Sequence, residues 1–224
     1  MPKTLQSRKR QVVRDAIYDA AIELFAKRGF DETTVEEVAE AAGISRRSFF
    51  RYFESKDDLL ALNTVNIGEA LCETVKSCPV RMSPFEMVRE TIRTGVKFTE
   101  SQKHTHQVIE IAQRSPSASQ AHLSRLMDVH NHLAVAFAAQ LKTPARDYLT
   151  PYLLAGISQL VMNGATGSWY LSKSKDLSAE ANKAILALTH LFCDESTAST
   201  ERVDAVAKKA APAATVAKRP VKKK

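Results

Sequence analysis

Three helix-start signals crowd between Thr33 and Ser55, and their spacing restricts the fold more than any other feature of the chain. Thr33 or Thr34 can cap a helix with a Glu three residues on, Glu36 or Glu37. That is a capping box, in which the Thr and Glu side chains satisfy each other's unpaired backbone N–H groups. The helix is short, burying Val35, Val38, Ala39 and Ala42, and it stops at Gly43, which accepts a positive φ. Ser45 opens a third helix only two residues later, and Ser55 opens a fourth with Asp57 and Asp58 in its first turn, where acids complement the helix dipole. Two short helices joined by a tight Gly-containing turn are a helix-turn-helix. Ala39 is small enough for the helices to cross closely, and Ile44 and Phe49 plug the crossing. Ahead of them, Val13, Ile17, Ala20, Ala21, Leu24 and Phe25 recur at three- and four-residue steps, a long amphipathic helix that Gly29 ends.

The rest of the chain reads the same way. It has 224 residues, 44% hydrophobic, with 7 Gly and 8 Pro, so an all-α fold of about nine helices is expected. Ser83-Pro84-Phe85-Glu86 is a helix start with Pro at the first position and Glu at the third. Helices over about 83–100, 105–113, 117–140, 146–171 and 178–193 follow, separated at Ser115-Pro116 and Thr143-Pro144. No run reaches the roughly 18 apolar residues of a membrane span, and the N-terminus lacks an apolar h-region, so the expectation is a soluble, cytoplasmic protein. Cys72, Cys78 and Cys193 form neither a disulfide framework nor a CxxC zinc motif.

Charge is unevenly placed. The net charge is +7, yet residues 1–60 balance 11 basic against 11 acidic side chains, whereas residues 196–224 carry 8 against 2. That Lys/Ala/Pro-rich tail is expected to be disordered, serving either as a solvated tail or as a non-specific attractor of nucleic acid. Within 1–60 the basic groups segregate. Lys3, Arg8, Lys9, Arg10 and Arg14 precede the first acid, and Arg46, Arg47 and Arg51 lie in a stretch from Ser45 to Phe53 without one. The acids Glu32, Glu36, Glu37 and Glu40 fall between, so a polyanion is expected to dock on one face without meeting them. In a helix-turn-helix the second helix enters the major groove by its N-terminal residues. With Ser45 as N-cap, Arg46, Arg47 and Ser48 are nearest the bases, and Arg suits bidentate bonds to guanine.

The stretch from Ala16 to Leu60, through A-x-x-L-F-x-x-x-G-F, T-T-V-x-x-V-A-x-x-A-G-I-S and F-x-S-K-x-x-L-L, resembles the DNA-binding domain of the TetR family of transcriptional regulators. The close match covers about a fifth of the chain. The resemblance implies a basic arm (1–14), a helix-turn-helix domain (15–60), an effector-binding and dimerisation domain (61–195) and the tail (196–224). It adds Phe50, where the family commonly has Tyr, Tyr52, where it often has His, and Lys56 as groups near DNA phosphate. Thr33 and Thr34 are expected to combine capping with phosphate contact, and Arg8, Lys9 and Arg10 to reach an adjacent groove.

The resemblance also implies a homodimer on a palindromic double-stranded operator, with Ala155, Gly156, Gly164, Gly167, Ile185 and Leu188 at the subunit interface. A small-molecule effector, acyl-CoA-like or otherwise lipophilic, is expected among apolar walls from Phe98, Ile109, Met127, Phe137, Met162 and Trp169. Gln113, Arg125 or Asn163 would supply a polar anchor. The six histidines lack the spacing and acidic or Cys partners of a metal site. Catalytic motifs are missing too, so neither metal, cofactor nor enzymatic activity is expected. The competing reading is an architectural, DNA-compacting protein that uses the basic tail.

Overall fold

In the computed structural model, which describes residues 5–144, 146–173 and 176–193, the described residues form nine helices and no strand. They are α1 (Leu5–Arg28), α2 (Val35–Ala41), α3 (Arg46–Phe49), α4 (Lys56–Ser77), α5 (Pro84–Ser101), α6 (Thr105–Arg114), α7 (Pro116–Leu141), α8 (Leu149–Ser172) and α9 (Leu177–Cys193). The tail 196–224 and Lys3 lie outside the described residues. The chain divides into two units, residues 1–183 and 184–224. Of the second, the end of α9 is described, with Ile185 and Leu188 half-buried.

Local chemistry sets the helix ends. Thr34 and Glu37 close the capping box on α2, Ser83 and Glu86 that on α5, while Ser45 and Ser55 cap α3 and α4 by accepting from Ser48 and Asp58 backbone N–H groups. Gly43 takes φ +67 in the α2–α3 turn, a conformation that L side chains rarely adopt. α8 starts three residues later than its hydrophobic pattern suggests. Pro151 sets that start, because its ring is tolerated only in a first helical turn.

α1 to α3 and the start of α4 enclose Ile17, Ile22, Phe25, Val38, Phe49 and Leu59, all 2% exposed or less. Burying each such side chain contributes roughly 1.5–3 kcal/mol. The same cluster takes in Val108 and Ile111 of α6 and Ala118 of α7, so the helix-turn-helix and the helices behind it share one core. α4 packs most extensively on α7. At their crossing a Cβ on Gly68 would fall 2.6 Å from Val129 Cγ2, so only glycine permits this approach.

Polar ties reinforce that junction. The Asp19 carboxylate of α1 meets His104 Nε2 at 2.7 Å and Lys103 Nζ at 3.2 Å. Burial opposes its charge, but the bonds from His104 and Lys103 outweigh that and hold the carboxyl below its usual value. Ser115 donates to Asp31 at 2.7 Å, and Arg125 of α7 pairs with Asp58 of α4 at 2.8 Å.

Candidate nucleic-acid interface and effector cavity

α3 is a single turn whose buried side is Phe49, at 0% exposure, backed by Phe53. Its other side presents Arg46 and Arg47 to solvent. Arg47 makes no ion pair among the described residues. Arg46 does: its Nε lies 2.7 Å from Glu36 Oε1, and its guanidinium sits 5.5 Å from the centre of the Phe50 ring. The expected separation of acids from the basic face is therefore corrected at Glu36, because the α2–α3 turn folds that acid back against Arg46. Phe50 is 46% exposed, available for van der Waals contact. Tyr52 is half-buried and lies under Arg51, 5.2 Å from its guanidinium, with the Arg51 N–H 3.5 Å from its hydroxyl. Ser48 has its hydroxyl engaged by Ser45 at 3.0 Å.

Several residues expected at phosphate are used otherwise. Thr33 is 1% exposed and its hydroxyl donates to the Gly29 carbonyl, so it neither caps α2 nor reaches a phosphate. Thr34 alone is the cap and is exposed. Its backbone N–H and hydroxyl, with Arg28, hold the Glu37 carboxyl below its ordinary range. Lys56 folds back onto the loop ahead of α2. Its ammonium donates to the carbonyls of Phe30 at 2.8 Å, Asp31 at 3.3 Å and Thr33 at 3.4 Å, and lies 4.5 Å from the Phe30 ring centre. Arg8, Lys9 and Arg10 are exposed but helical, since α1 runs back to Leu5. As successive residues roughly 100° apart around a helix, they point in different directions, and from Leu5 onward the basic arm is the first turns of α1.

Behind the junction, α4 to α8 surround a cavity of about 330 Å3. Four expected residues line it: Phe98, Ile109, Met162 and Asn163. The other five do not. Phe137 is fully buried core, Met127 is 53% exposed, Gln113 is exposed, Trp169 stacks on His106 with centres 4.1 Å apart, and Arg125 is held by Asp58 and Asp128. Sequence reading missed Asn63, Thr64 and His122, which also line the cavity. Their signal was present, since Asn63 and Thr64 directly follow the apolar run Leu59-Leu60-Ala61-Leu62 of α4. The His122 Nδ1 lies 3.2 Å from the Thr64 hydroxyl, and burial pushes its pKa down.

The expected dimer residues also divide. Ala155 is fully buried within its own unit, and a Cβ on Gly156 would meet His130 at 3.4 Å, so both serve internal packing. Gly164 and Gly167 have open space beside them. Among the described residues no cluster of three His, Cys, Asp or Glu is suited to a metal ion, and no helix is long and apolar enough to cross a membrane.

Residues 17–62 match the family described as bacterial regulatory proteins, tetR family. The chain is similar to the HTH-type transcriptional regulator TcmR of Streptomyces glaucescens, 28% identical over 183 residues, which cover 78% of this chain and 80% of that protein. It is similar also to the HTH-type transcriptional regulator YvkB of Bacillus subtilis, 29% identical over 147 residues, 64% of this chain and 69% of that protein. Its fold is shared with the fatty acid degradation regulator FadR from Bacillus halodurans, with a TM-score of 0.53 at 18% identity, covering 82% of this chain and 94% of that one. Residues 17–62, which hold the helix-turn-helix, thus match the DNA-binding domain of the tetR family of bacterial regulatory proteins, and the all-helical body that carries them has the fold of solved TetR-family regulators.

Proposed function

We propose that the protein is a dimeric repressor that binds a palindromic operator through α3 and leaves it when a small lipophilic molecule enters the cavity behind α4. The observation that carries the reading is the exposed Arg46-Arg47 pair on a turn whose far side is locked by Phe49 and Phe53. Rigid support of this kind lets two side chains meet base edges in a fixed register. Arg47 reads directly, whereas Arg46 must leave or share Glu36. Release follows from the shared core: α4 contributes Asn63 and Thr64 to the cavity and Lys56 to the loop ahead of α2. A ligand that favours one placement of α4 therefore biases the recognition turn.

The test is sequence selection from random duplexes, followed by binding of an Arg47→Ala variant. A palindrome with guanine in each half-site is expected, and Arg47→Ala should cost about 1–3 kcal/mol and relax one base position per half-site. Enrichment of no sequence at physiological salt would favour the architectural alternative.

A further inference from the structure

We infer that the cavity selects an uncharged, compact and mainly apolar molecule bearing a hydroxyl, carbonyl or amide, and rejects carboxylates, CoA thioesters and organic cations. The inference rests on reading the cavity as the effector site.

The argument begins with what the walls lack. None of the eighteen lining residues is Asp, Glu, Lys or Arg, in a chain of which 25% of residues are charged. Arg125, the cation of α7 that a carboxylate or phosphate would need, is committed to Asp58 and Asp128. The one titratable wall residue, His122, is kept neutral at ordinary pH by burial. A charged ligand entering here would give up its hydration with no partner of opposite sign, which is strongly unfavourable.

What the walls offer is neutral and adaptable. Leu71, Phe98, Ile109 and Met162 supply the apolar surface. His122 uses Nδ1 on Thr64, and its neutral ring can present Nε2 as donor or acceptor according to tautomer. Asn163 of α8, an exposed lining residue, adds an amide. At about 330 Å3 the space is at the small end of the roughly 300–1,000 Å3 range of ligand sites. An adenine nucleotide head group has neither the room nor the cations it needs.

Calorimetric titration of the full chain with two probe series tests this: decanol, decanoate and decyltrimethylammonium, and naphthol, naphthoate and naphthylmethylammonium. At least one neutral probe should bind roughly tenfold or more tightly than both of its charged counterparts. Ile109→Trp, which fills the cavity, should abolish that binding. Thr166→Lys, at a half-exposed lining position, should shift preference toward the carboxylate of the same series. Equal or tighter binding of a charged probe, binding of no probe, or neutral binding that survives Ile109→Trp would each overturn the inference. Operator binding is read separately. A neutral probe that binds in the cavity and leaves operator affinity unchanged upholds the ligand class and defeats the effector reading, whereas release by a charged probe does the reverse.

Discussion

The Lys56 ammonium directs its protons to three backbone carbonyls ahead of α2 and itself sits 4.5 Å from the centre of the Phe30 ring. Charge-assisted bonds of this kind are worth about 1.5–3 kcal/mol when half-buried and well aligned. Lys56→Met keeps the stem and removes the bonds, so it should lower unfolding free energy by about 1–3 kcal/mol while leaving the salt dependence of DNA binding by the folded fraction unchanged. A lysine that bound phosphate would behave oppositely: melting would hold and the salt slope would fall by about one. Sequence placed Lys56 correctly at the start of α4 but not its partners, because a long side chain at a helix start has both DNA and the preceding loop within reach. Only the path of residues 29–33 decides between them. His122 is the second residue whose environment carries a consequence. Its folded pKa is depressed below the 6.5 of the free group, so the unfolded chain takes up the proton first as pH falls below that value. Stability should therefore decline with acidification across this window, and the decline should be shallower in His122→Gln, measured as the pH slope of chemical unfolding.

At the scale of elements, what was legible is what local chemistry determines. The Thr34, Ser45, Ser55 and Ser83 caps, the Gly43 turn and the breaks at Ser115-Pro116 and Thr143-Pro144 are each fixed by a few neighbouring residues, and the helices fall where those signals place them. The cavity was only half legible. The resemblance led to Phe98, Ile109 and Met162 as apolar walls and Asn163 as a polar anchor, all of which line the cavity, yet it led equally to Phe137, which is solid core. Which buried face borders a void depends on how far apart the helices stand. That distance is set by contacts remote in sequence, such as Gly68 against Val129 and Asp58 against Arg125. Polar residues set among apolar ones, Asn63 and Thr64 above all, are the signal that was passed over, since a polar group on a buried face needs either a partner or a cavity.

On the scale of the whole molecule, α8 has one face that its own unit leaves uncovered. Leu149, Leu153, Leu160 and Leu171 are 67%, 51%, 66% and 78% exposed, and their spacing of four, seven and eleven residues puts them along one stripe, beside the open flank of Gly164. A row of exposed leucines this long is a burden on a monomer and a natural helix-pairing seam in a dimer. Dimerisation would also supply the second recognition turn, about 34 Å from the first, that a palindrome demands. Leu153→Glu combined with Leu160→Glu should leave the fold intact, because both side chains already meet water, and should yield a monomer in sedimentation. Losing the tethered second half-site contact should then lower affinity for the selected operator roughly 10²–10⁴-fold while sparing affinity for an isolated half-site. A double variant that remained dimeric on and off DNA would place the interface elsewhere.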